Sequence, residues 1–153
     1  WASILAASLV PVFFIASALP LLPPLGFAML LGWRLVRPGL LPVWAGLPLG
    51  LFDDLFSGQP FGYAIFTWSV ALLVIEAIEL RMPWRSFWQD WLTASAALIG
   101  YIGFGWLLSG GEPTVFALVA LVPQLAISVI LFPTIARLSA ALDRLRLSRW
   151  RRV

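Results

Sequence analysis

Apolar residues run almost without interruption through this chain, and the few charged positions gather in clusters between stretches long enough to cross a bilayer. Residues 1–33 carry no charge at all. As one helix they would extend about 50 Å against a hydrocarbon core of about 30 Å, so the segment is expected to fold back on itself. Pro20, Pro23 and Pro24 supply the break, because proline lacks an amide donor and restricts the residue before it. The pattern predicts a first helix over 1–19 and a second over 23–36 that is short and tilted or partly re-entrant. A third is predicted over 39–56, interrupted by Gly46, Pro48 and Gly50 and carrying Asp53 and Asp54 near its end. The fourth covers 61–80, between Gly58-Gln59-Pro60 and Arg81-Met82-Pro83, and the fifth covers 87–108 before a turn at 109–113. The sixth begins near 114, contains Pro123 and Pro133, and runs on past Arg137. The resulting expectation is an all-α integral membrane protein: about six transmembrane helices in one bundle over 1–136, then a basic amphipathic tail over 137–153.

Composition strengthens this reading and removes several chemistries. The chain is 61% hydrophobic and 11% charged, whereas a soluble domain carries about 25% charged residues. Histidine, cysteine and lysine are absent, which removes the usual imidazole and thiolate metal ligands, the Cys and Lys nucleophiles, and disulfides. Neither a cofactor nor covalent catalysis is expected. Ala16-Ser17-Ala18 has the look of a signal-peptidase site, but the apolar stretch before it is too long for a signal peptide, so it is read as part of a spanning helix. Trp1 is not an initiator methionine, and further residues are expected upstream.

The arginines orient the bundle. Arg34 and Arg37 lie between the second and third predicted helices, Arg81 and Arg85 between the fourth and fifth, and six of the ten arginines after the sixth. The alternate connections carry none, so the positive-inside rule places both termini in the cytoplasm and requires an even number of spans. With the basic character concentrated in one tail, the net charge of +3 points to anionic membrane lipid and not to nucleic acid. Arg137, Arg144, Arg146, Arg149, Arg151 and Arg152 are the candidates for contact with lipid or a cytoplasmic partner, and Leu138, Leu142 and Leu145 repeat among them at helical spacing. Trp84, Trp88 and Trp91 share one face at the start of the fifth helix, as an interfacial anchor does.

Two acidic pairs need explanation, because a carboxylate at membrane depth costs about 2–4 kcal/mol unless it is paired or wet. Glu76 and Glu79 sit one turn apart near the cytoplasmic end of the fourth helix, where a salt-bridge cluster with Arg81 and Arg85 is expected. Asp53 and Asp54 fall toward the outer end of the third. Asp53 is expected to reach headgroup water or the backbone of the Ser57-Gly58 turn. Asp54 is expected to make a specific polar contact that fixes the corner between the third and fourth helices or pairs with a partner chain. Gly46/Gly50, Gly58/Gly62 and Ala96/Gly100 are small-xxx-small pairs of the kind that lets helix backbones approach closely, some within the bundle and some toward another protein.

Gly50, Asp54, Ser57, Gly58 and Gly62 together spell G-x3-D-x2-SG-x3-G. Set in this hydropathy profile, the motif resembles that of the rod-shape-determining protein MreD family. The residue-level likeness is concentrated in 46–62, and Asp54, not Asp53, falls on the family's acidic position. The resemblance implies a non-catalytic scaffold of the cell-wall elongation complex in the bacterial cytoplasmic membrane, acting in peptidoglycan synthesis and rod shape. Its implied partners are MreC and, within the same complex, MreB, RodA and a class B penicillin-binding transpeptidase. The implied fold is similar to the S-component of energy-coupling-factor transporters, a likeness of fold that says little about transport.

Two other classes make different demands. A small-molecule-binding subunit of a transporter needs a polar, substrate-sized cavity, for which the chain offers Asp53, Asp54, Gln59, Thr67, Glu76 and Gln124. A membrane enzyme built on Asp53 and Asp54 needs them to share a site, whereas adjacent helical residues point about 100° apart.

Overall fold

A computed structural model describes residues 1–14, 23–81, 86–108, 110 and 115–150. The expected break at Pro20 and the Ala16-Ser17-Ala18 sequence fall outside these residues, as do Trp84, Arg85, 111–113, Arg151 and Arg152. Six α-helices are present among the described residues: α1 (Ala2–Phe14), α2 (Leu25–Val36), α3 (Gly46–Phe56), α4 (Tyr63–Arg81), α5 (Phe87–Leu108) and α6 (Val115–Trp150).

Three of them, α4, α5 and the 27-residue stretch of α6 from Leu121 to Leu147, are long and apolar enough to cross a membrane. The 12 residues of α2 and 11 of α3 extend only about 18 Å and 17 Å at 1.5 Å per residue, well short of a hydrocarbon core. The third helix therefore starts later than its hydropathy suggests. Gly39, at φ +85°, turns the chain away from α2, and a single 3₁₀ turn at Val43–Ala45 leads into α3.

Burial explains how so short an apolar helix is accommodated. Every residue of α2 from 26 to 35 is buried, so the helix is enclosed by protein on all sides. A helix that is apolar all round and encased in this way need not match the bilayer thickness, because its end groups meet protein and not lipid. Its neighbours are α1, α5 and α6, while α3 packs against α4 and α1. Phe27 is central, with its ring 4.7 Å from Tyr101 of α5 and 5.9 Å from Trp68 of α4.

Several hydroxyls are absorbed by the helices that carry them. Ser69, Ser95 and Ser128 each donate to the carbonyl four residues earlier in their own helix, at 2.7, 2.7 and 2.6 Å. Bonded this way, a serine presents little more than its methylene to its neighbours. Long α6 runs unbroken through Pro123, Pro133 and the expected domain boundary at 136/137, for a length of about 54 Å.

Candidate functional site

The motif residues converge on the corner between α3 and α4. Ser57 ends α3 with its N–H donating to the Asp53 carbonyl at 2.8 Å. Gly58 and Gly62 then take φ values of +68° and +93°, a backbone region where side-chain-bearing residues are strained. These two turns reverse the chain within six residues. Gly58 and Gly62 thus lie in the connection, not on a helix, and their spacing of four is not a helix-packing pair.

Asp54 locks the reversal. Its carboxylate accepts the N–H groups of Gly62 at 2.9 Å, Ala64 at 2.7 Å and Ile65 at 3.2 Å. The first turn of a helix has amide donors with no partner inside the helix and a positive dipole end. A carboxylate delivered from the preceding helix satisfies both, which accounts for an acidic residue only 6% exposed among apolar helices. Gly50, one turn earlier on α3, sets the separation. A Cβ there would stand 2.7 Å from the Ala64 carbonyl group and from Ile65 Cα, so the two backbones meet at a distance only glycine permits. Gly46 is similarly close to the backbone of Trp68 and Ser69.

Asp53 departs from its expected environment. It is 8% exposed and turns neither to headgroup water nor to the Ser57-Gly58 turn. One residue around the helix from Asp54, it faces α1 and α2, where a Cβ at Gly26 would stand 3.1 Å from Asp53 Oδ1 and 2.1 Å from Ser8 Oγ. The two aspartates thus point into different parts of the bundle and form no dyad.

At the opposite end of the molecule, Glu76 and Glu79 meet Arg34 of α2 and not Arg81. Glu79 pairs with Arg34 at 2.8 Å and Glu76 stands at 3.6 Å, while Arg34, 4% exposed, also donates to the Leu41 carbonyl at 3.1 Å. Arg37 takes both carboxylate oxygens of Asp143 on α6 at 2.8 Å. Sequence reading missed both pairings because the partners lie 45 and 106 residues apart. The available signal was the depth of Arg34 in an apolar helix, which demands an acidic partner.

The tail arginines divide. Arg137, Arg144 and Arg146 are exposed on α6, whereas the Arg149 side chain, Arg151 and Arg152 lie outside the described residues. Of the expected leucine stripe only Leu142 packs against the core, while Leu138 and Leu145 are 52% and 66% exposed. The buried face of this stretch runs instead through Phe132, Ile135 and Ser139.

Between α4 and α5 the bundle opens. An apolar groove of about 580 Å³ runs there, with Phe66, Val70 and Val74 on one wall, Ala96 and Gly100 on the other, and Phe27 at its floor. It follows α4 from Phe66 to Ile78, about 18 Å. Thr67 and Thr93 on its walls donate at 2.8 Å to carbonyls of their own helices, and Tyr101, 7% exposed, adds a phenol. Nothing lies within 4 Å of a Cβ built on Gly100. Of the three small-residue pairs, therefore, Gly46/Gly50 is spent inside the bundle and Ala96/Gly100 faces outward. A second cavity, lined by Gln59, Tyr63, Tyr101, Trp106 and Gln124, measures about 240 Å³, below the range of about 300–1,000 Å³ usual for ligand sites. The Tyr63 hydroxyl beside it donates to the Tyr101 carbonyl.

Among the described residues no group of three or more His, Cys, Asp or Glu side chains is placed to hold a metal ion. The chain matches no protein-family model, no curated protein and no solved structure.

Proposed function

We propose that this protein is a non-catalytic membrane scaffold similar to the MreD family, built of six helices across the bacterial cytoplasmic membrane with both termini inside. In this reading it binds the transmembrane helix of MreC. MreB, RodA and a class B penicillin-binding transpeptidase belong to the same assembly.

The α4/α5 groove carries the proposal. Lipid offers no hydrophobic drive for helices to associate, so recognition within a bilayer depends on close backbone approach and shape. A groove about three helical turns long, with its threonine hydroxyls satisfied internally and a small-residue pair on one wall, suits a second helix. The α3/α4 corner supports the same reading from the other side. Gly50 and Asp54, two of the five motif residues, are used to fix α4 on α3, so the corner holds one groove wall rigid and leaves its outer face for a partner. A carrier would instead need polar groups lining the larger cavity, and that cavity is apolar.

The test is co-purification of MreC with the full chain in mild detergent. The wild-type protein is expected to retain MreC, and Gly100→Leu and Ala96→Leu to reduce that retention about tenfold by filling the groove wall, without loss of thermal stability. A wild-type protein retaining no MreC above background would overturn the proposal.

A further inference from the structure

Asp143, Glu76 and Glu79, acidic side chains at the arginine-rich end, are already committed. Asp143 stands three residues before Arg146 on α6, the spacing at which a helix pairs opposite charges, yet both its oxygens are held by Arg37 at 2.8 Å. Glu76 and Glu79 face Arg34. Among the described residues Arg146 enters no ion pair.

Arg146 instead lines a cavity of about 340 Å³ with Trp1, Trp33, Leu40 and Leu41. Leu41 and Trp33 form a buried wall, 1% and 7% exposed, and the Trp33 indole N–H is fixed on Ser3 Oγ at 2.8 Å. Trp1 lies at the open side, its ring 5.6 Å from that of Trp44. Both are substantially exposed, at 46% and 60%. Such half-exposed indoles occupy the headgroup level of a bilayer, where one edge is wet and the other apolar. A cavity with apolar and aromatic walls and one uncompensated guanidinium suits an anion joined to an apolar body. The planar guanidinium fork matches two oxygens of a phosphate, a match that the point charge of an ammonium lacks.

We propose that this cavity is a one-to-one site for the phosphate of an anionic lipid, held by Arg146 and seated against Trp1 and Trp33. The site is distinct from the diffuse attraction of the remaining tail arginines to a charged surface. It rests on the arginine-rich end facing the inner leaflet and is independent of MreC binding, so either proposal can fail alone.

The two descriptions separate by comparing Arg146→Gln with Arg144→Gln, which remove equal charge from the same exposed stretch of α6. Native mass spectrometry of the full chain titrated with phosphatidylglycerol reads the affinity. Arg146→Gln is expected to weaken binding about thirtyfold, the loss of a charge-assisted pair, and Arg144→Gln about fivefold at most, the share of one interfacial arginine. Arg146→Lys, which keeps the charge without the fork, falls between the wild type and Arg146→Gln. Equal losses from the two Gln variants overturn the site in favour of diffuse attraction. Inorganic phosphate provides the second arm. Failure to displace the lipid at equal concentration supports a lipid-borne phosphate, and displacement overturns that assignment in favour of the free anion.

Discussion

Asp54 and Gly50 show at the residue scale why the α3/α4 corner is built from these residue types. A carboxylate accepting three N–H groups, shielded from water, forms strong charge-assisted bonds, and removing it leaves those donors without partners. Asp54→Ala is therefore expected to cost about 3 kcal/mol, and Asp54→Asn less, since the amide oxygen still accepts. Thermal unfolding in detergent measures both. Glycine gives a paired test in the same assay. Gly50→Ala forces a methyl group against the α4 backbone and is expected to cost about 2 kcal/mol. Gly100→Ala, where a Cβ meets open space, is expected to be neutral or slightly stabilising through helix propensity. Equal effects at the two positions would contradict the packing described for α3 and α4.

Among the elements, α2 depends most on its surroundings. Enclosed by its neighbours, it presents Arg34 to Glu79 of α4, and Arg37, at its C-terminal cap, reaches Asp143 of α6. These pairs tie one end of α2 to α4 and to α6. Breaking a buried pair by removing one partner is costly, and Glu79→Leu leaves Arg34 only the more distant and more exposed Glu76, at 3.6 Å, so it is expected to destabilise the protein by about 3 kcal/mol. Replacing both partners, Arg34→Met with Glu79→Leu, is expected to recover most of that loss, because neither substitute leaves a charge buried. Thermal melts of the two single variants and the double variant complete the cycle. A double variant as unstable as the sum of the singles would show that the pair is not the source of the effect.

Orientation belongs to the whole molecule. The chain has no cysteine, so single introduced thiols report topology without background. Gln59 lies in the α3/α4 connection and Pro38 in the α2/α3 connection, both exposed. In intact cells a membrane-impermeant maleimide is expected to label Gln59→Cys, and to label Pro38→Cys only after the inner membrane is opened. The reverse pattern would invert the bundle and remove the premise of both proposals, since the arginine-rich end would face outward.

Element type and rough extent were legible in the sequence because a continuous apolar run, broken by proline and glycine, reports the local solvent of each segment. The helices at 63–81 and 87–108 match their expected spans closely for that reason. Asp54 could be singled out from its neighbour by the motif, and the polar clusters were visible as places where a buried charge needs an answer. Which group supplies the answer was not visible. The Arg34 pairing with Glu79, the separation of Asp53 from Asp54 onto different neighbours, the late start of α3 and the outward face of Ala96/Gly100 all follow from how the helices pack. Hydropathy records only whether a side chain avoids water, and it treats lipid and protein interior alike. Where lipid and protein are equally apolar, only the assembled backbone distances decide which small residues meet another helix and which are left open.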